Sequence, residues 1–353
     1  DGTMATMPVM KALSSRFSLR LTLALGLWFG GVVPAQAWGP RGHATTGAIA
    51  EQLIVGTRAE TEVARLLKGP GVTLGRAAVW ADCVKAVQHE EGVFSYADPG
   101  RYADCKPFET PEGMARAVAY VQANWQACKP HFGEDPCHRQ YHYTDVSLQH
   151  LRYGRQWVGT SDHDLVAAMQ ACIAVLQGRP APKPFHFHDR TEALLLLTHL
   201  VGDVHQPLHV GAIYLNAQGR RVNPDAGHHD PHTDTVGGNR ITDGHGPLHR
   251  AWDDVPQRLH PQGLGEDGVD EARRVPPSPG RPADWPVLWA SDTLGASRAA
   301  YEGLTFSAAS GKPLRWVAAL PEGYAQRREA MQRAQLIKAG ARLAQLLRAI
   351  FPG

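Results

Sequence analysis

The stretch "HLVGDVHQPLHVG" (199–211) directly follows the apolar run "TEALLLLT". Ending a helix-forming, buriable run in three histidines and an aspartate is costly unless those groups find partners. Positions four apart share one face of a helix, so His199 and Asp203 point at a common spot. Pro207 ends or bends that helix, which frees His209 to approach from another direction. Any one of these histidines alone would suit a buried helix whose polar groups satisfy one another. His-x3-Asp followed by His-x3-His (205 to 209) favours metal binding instead.

Other fragments have the same character. "WGPRGH" spans 38–43, and "WADCVK" (80–85) carries Asp82 and, three residues on, Lys85. "YHYTD" (141–145) carries His142, and "LHRAWDD" (248–254) repeats the four-residue spacing with His249 and Asp253. Histidine and aspartate ligands without cysteine suit zinc.

These residues run from 38 to 253, which argues for one compact domain closing around one site rather than two domains. The expected class is all-α, a mainly helical single domain with at most a small β-hairpin. Helical periodicity is read over 44–55, 59–68, 76–88, 111–127, 162–177, 190–205 and 324–350. In the last, Leu336, Leu343, Leu347 and Ile350 recur at helical spacing. "VGGNRITDG" (236–244) is read as the hairpin, with Gly-Gly at its turn. The Pro- and Gly-rich segment 254–286 reads as a long irregular connection.

The N-terminal region reads as a leader. Lys11, Arg16 and Arg20 precede the uncharged "LTLALGLWFGGVV" (21–33), and "PAQA" follows. This is the pattern of a secretory signal peptide cleaved after Ala37, and the apolar run is short for a membrane span. The expected organisation is a removed leader at 1–37 and a secreted functional domain at 38–353, periplasmic or extracellular. Cleavage takes three of 36 basic residues and one of 34 acidic ones, leaving 33 of each sign. A basic tract that would hold duplex by counterion release is therefore not apparent. No stable protein partner is implied.

Export permits oxidation of the five cysteines, and an odd number leaves one over. Cys128 and Cys137 bracket the turn-rich "KPHFGEDP" and are the first choice for a disulfide. Cys172 lies within an apolar helical run and is expected to be a buried thiol, leaving Cys83 with Cys105. None of the four asparagines begins an Asn-x-Ser/Thr sequon.

Taken in order, the fragments resemble the secreted zinc-dependent single-strand nucleases and 3'-nucleotidases of the nuclease S-one/P-one family, and more distantly the zinc-dependent phospholipases C. The resemblance runs from Trp38 to the "KAGARLAQLL" helix. It implies three zinc ions per chain. One would be held by Asp82, His142 and His199, and a second by the α-amino group and carbonyl of Trp38 with His43. Asp203 would bridge these two, and His209, His249 and Asp253 would hold the third. His205 falls outside that set. Adjacent cations acidify a shared water, which suits phosphodiester hydrolysis at neutral pH. On this reading Asp82, Lys85 and Asp203 carry the catalysis, with Lys85 also neutralising phosphate charge. The products carry 5'-phosphates.

The resemblance further implies that Tyr143 stacks on a base and Asp145 binds its edge, which demands an unpaired strand. Substrates would be single-stranded DNA or RNA and 3'-nucleotides. Asp254 stands near the phosphate, where related nucleases often have asparagine. The segment 216–235 looks longer than usual, and its "HHDPH" is read as a polar loop. "FHFHD" (185–189) is read as loop and helix cap. The alternatives are a phospholipase C and a non-catalytic zinc-binding protein.

Overall fold

The computed structural model describes residues 1–3, 38–68, 72–131 and 133–353. The hydrophobic stretch and cleavage site of the expected leader lie outside the described residues. Every element below belongs to a compact unit spanning Ala35–Gly353.

The helices are α1 (Pro40–Leu53), α2 (Arg58–Leu67), α3 (Leu74–Ala77), α4 (Trp80–Cys83), α5 (Pro111–Asn124), α6 (Cys137–Gln140) and α7 (Leu165–Leu176). They continue with α8 (Arg190–Asp203), α9 (Pro207–Val210), α10 (Leu248–Asp253), α11 (Pro261–Arg273), α12 (Trp285–Ala300) and α13 (Tyr324–Ile350). The fold is mainly helical, and its β structure is confined to sheets of two or three short strands.

At the centre is α8, buried from Glu192 to Asp203. A helix apolar on every side is stable only inside other helices, and α8 packs against α1, α2, α4, α7 and α13. Asp189 caps it by accepting from the Glu192 amide at 2.9 Å, as read for "FHFHD". α7 is almost as apolar and holds Cys172 as a buried free thiol. The disulfides are Cys83–Cys105 and Cys128–Cys137. Among the described residues, no helix is long and apolar enough to cross a membrane.

Three readings of local structure change. The helix expected over 76–88 is broken into α3, α4 and a 3-10 turn at Val84–Ala86, followed by a strand, Val87–Glu90. The Asp82 amide turns to the Val79 carbonyl at 3.0 Å, so the Ala78 carbonyl accepts from His199 Nδ1 at 2.7 Å instead. Tertiary demand overrides periodicity here. Val87–Glu90 forms an antiparallel hairpin with Val93–Tyr96.

No hairpin forms at 236–244. Val236, Gly237 and Gly238 all have positive φ, making a turn, and Ile241–Thr242 then pairs in parallel with Trp316–Val317. The segment 254–286 is not wholly irregular, since it contains α11, which is kinked at Gly265. Glycine content obscured the buried face made by Leu264, Val269 and Ala272. α12 was also unread, although Pro286 lies in its first turn, where proline is tolerated.

Candidate metal centre

The C-terminal end of α8 supplies His199 and Asp203, and α9 supplies His209 after the chain turns at Pro207. α10 carries His249 and Asp253 one turn apart, α4 carries Asp82, and α1 carries His43. His142 follows α6, and its segment is pinned beside α9 by the Thr144 amide donating to the His209 carbonyl at 2.8 Å.

These side chains converge on a buried cluster. Asp203 lies 3.4 Å from His43 Nε2, 3.1 Å from His142 Nδ1 and 3.2 Å from His199 Nε2. The His43 ring stacks on that of His199 at 3.6 Å. Asp82 Oδ1 stands 3.9 Å from His199 Nε2 and accepts from Lys85 Nζ at 2.6 Å. Ligand atoms of His43, Asp82 and His199 lie within 4.8 Å of one another, as do those of His142, His199 and Asp203, and of His209, His249 and Asp253. The last trio matches the third set read from the sequence. The first two share His199, so those two sets adjoin.

The imidazoles are oriented by backbone carbonyls. His199 Nδ1 meets Ala78 O, His209 Nδ1 meets His142 O, and His249 Nδ1 meets Gly237 O, each at 2.7 Å. A carbonyl can only accept, so each Nδ1 carries a proton; in His209, which burial holds neutral, Nε2 therefore presents a lone pair. His209 Nε2 and His249 Nε2 then face each other at 3.0 Å. With both rings in the neutral, metal-ligating form, two lone pairs at that separation repel unless a cation lies between them.

Other atoms point the same way. Both ring nitrogens of His43, Asp82 Oδ2 and Asp203 Oδ1 are buried without a hydrogen bond, which is rare in native proteins. Burial holds His43, His142 and His209 neutral, the metal-ligating form of imidazole. Burial also pushes the Asp253 carboxyl up well above its usual range and that of Asp203 up to about 6. Five imidazoles and three aspartates around such orphaned atoms fit divalent zinc.

The remaining sequence-selected residues are distributed around this cluster. Trp38 is fully buried and its indole Nε1 donates to Gly202 O at 2.8 Å. The Gly39 amide donates to Asp253 O at 2.9 Å, tying the start of the domain to α10. Tyr143 is half-buried. Asp145 has its carboxyl pushed up to about 7 by burial and by nearby Asp234, against the Gly237 amide and Arg240. Asp254 is exposed and lies 3.9 Å from Arg41. His205 joins none of the three groups; its Nδ1 donates to Val201 O at 2.7 Å.

Sequence reading missed the supports. Gln206 Nε2 donates to Asp253 Oδ1 at 2.7 Å, and an amide beside two histidines signalled nothing by spacing. Gly202 was also missed. A Cβ there would sit 2.7 Å from His43 Nδ1, so the helix must lack a side chain for His43 to fit. Gly202→Ala is expected to displace His43, cost about 1–3 kcal/mol as an overpacked core does, and lower metal content. Thermal melting and metal analysis would read both; unchanged values would show that His43 is not tightly held.

Endonuclease 1 of Arabidopsis thaliana is 28% identical over 200 residues, covering 56% of this chain and 52% of its own. The chain thus spans about half the length of that curated relative. The family model described as S1/P1 Nuclease matches residues 38–352, and the chain therefore belongs to the S1/P1 nuclease family.

Proposed function

We propose that this nuclease is a zinc-dependent phosphodiesterase that cleaves single-stranded DNA or RNA to 5'-phosphate products and also removes phosphate from 3'-nucleotides. The facing Nε2 atoms of His209 and His249, 3.0 Å apart with each Nδ1 on a carbonyl, are the observation that most supports a resident cation. Three zinc ions would be held by Asp82, His142 and His199, by Trp38 and His43, and by His209, His249 and Asp253. Asp203 would join the first two sets. Zinc there acidifies water and stabilises negative charge on phosphoryl oxygens.

The chain's own residues do the rest. Carbonyls of Ala78, His142 and Gly237 fix the ring tautomers, which is how outer partners tune a metal site. Lys85 offsets phosphate charge, and its bond to Asp82 keeps the ammonium at the edge of the cluster. Tyr143 offers a stacking face to an unpaired base, and Asp145 offers its carboxyl to the base edge. The α-amino group of Trp38 can be a ligand only when residues 1–37 are absent, so the reading includes secretion and removal of that leader. The family match begins at residue 38, which supports this.

The test is metal analysis of processed protein beside hydrolysis of single-stranded DNA, RNA, 3'-nucleotides and phosphatidylcholine. Three zinc ions with activity on the nucleic acids is the expected result. Rapid lipid hydrolysis with slow nucleic-acid cleavage would assign a phospholipase instead. Bound zinc with no phosphoester turned over would leave a zinc-binding protein.

A further inference from the structure

Outside the metal cluster, a cavity of about 580 Å³ opens where the strands Val146–Ser147 and Gly211–Ala212 meet the C-terminal end of α12. Its polar lining includes two guanidinium groups, Arg221 and Arg298, with Gln149; Leu148, Ile213 and Val222 form an apolar wall. Each guanidinium is anchored by a backbone carbonyl. Arg298 Nη1 donates to His150 O at 2.9 Å, and Arg221 Nη2 donates to Tyr301 O at 2.7 Å. A guanidinium carries five N–H donors, so one anchoring bond leaves others to grip an anion. The anchoring also reduces the entropy lost on gripping it.

The cavity lies beside Asp145, one of the two residues of the proposed base pocket. Tyr214 lines it, and the Tyr214 hydroxyl donates to the Asp145 carbonyl at 2.7 Å. Ser147, another lining residue, is only two positions from Asp145, which is at most about 7 Å of extended chain. Ala212, on the neighbouring strand, is three residues beyond His209. Even a stacked strand advances roughly 3.4 Å per nucleotide, so the cavity lies within one or two nucleotides of the base pocket. Fixed guanidiniums beside an apolar wall suit a phosphate next to a sugar or base.

We infer that this cavity is a second nucleic-acid subsite, taking a nucleotide unit that neighbours the one held at Tyr143 and Asp145. The inference rests on the nuclease reading and adds a substrate-length preference to it. A mononucleotide fills only the base pocket; a strand reaches Arg221 and Arg298 as well. Glu302, exposed on the cavity lining, opposes the phosphate and limits how strongly the subsite binds.

Steady-state kinetics on a thymidylate dodecamer and on thymidine 3'-phosphate test this. Arg221→Gln and Arg298→Gln should each raise KM for the dodecamer by about threefold, the scale of a solvent-exposed ion pair. Each should also reduce the log–log salt slope of that KM by roughly 0.7, the value for one single-strand phosphate contact. KM for the mononucleotide should stay unchanged. Glu302→Gln should shift the dodecamer KM downward, an opposite sign that damaged folding does not produce. Equal KM values and salt slopes in all three variants and wild type would overturn the subsite. So would equal losses on both substrates. A wild type inactive on both substrates would instead overturn the nuclease reading, and the subsite with it.

Discussion

Alanine at His209 or His249 should remove one zinc ion per chain and reduce nuclease activity by roughly 100-fold or more, since a metal contributes several kcal/mol to stabilising transition-state charge. The two rings act as a pair. Their Nε2 atoms approach to 3.0 Å because each Nδ1 is committed to a carbonyl. Removing one ring relieves that repulsion, so metal-free protein should melt no lower in His249→Ala than in wild type. Zinc should then raise the melting temperature of wild type more than that of the variant. This pairing of results separates ligands from packing residues. An ordinary core histidine, once truncated, leaves a cavity and destabilises the protein with or without metal. Full zinc content and full activity in both variants would count against the site.

The cluster was legible in the sequence because two of its His–Asp pairs fall at helical spacings. His199 with Asp203, and His249 with Asp253, are each one turn apart and do share a face. Long helices were legible for the same reason: α13 occupies the expected 324–350 and α8 lies within 190–205. What failed was structure that exists for the site's benefit. A periodic pattern over 76–88 gave no hint that the helix would break to hand the Ala78 carbonyl to His199. The turn at Val236–Gly238 looked like a hairpin, yet its Gly237 carbonyl is spent on His249. Such backbone contacts depend on partners more than a hundred residues away in the first case, and no local pattern encodes them. The cavity beside α12 was invisible for a related reason. Its walls come from three separated stretches, and one of them, α12, had not been read as a helix.

The second large effect is expected at the proposed base pocket, where the proposed zinc ligands are left intact. Stacking of one base is worth about 1–3 kcal/mol, or roughly 5- to 150-fold at 1.4 kcal/mol per decade. Tyr143→Ala should lower kcat/KM for single strands and 3'-nucleotides within that range. Zinc content should not change, and a generic diester such as bis-p-nitrophenyl phosphate should be much less affected. Asp145 gives the pocket a pH signature. Its carboxyl is pushed up to about 7 by burial and the neighbouring Asp234. Above that pH it is a carboxylate, which only accepts hydrogen bonds; below it, the protonated form also donates. Base preference in wild type should therefore shift as pH crosses 7, with donor-rich base edges favoured on the alkaline side. Asp145→Asn, whose amide does not titrate, should flatten that shift while keeping activity on the generic diester. A wild-type base preference that holds steady from pH 6 to 8 would mean that Asp145 does not touch the base. Equal loss on nucleotides and the generic ester in Tyr143→Ala would mean that the ring supports the fold instead of the substrate.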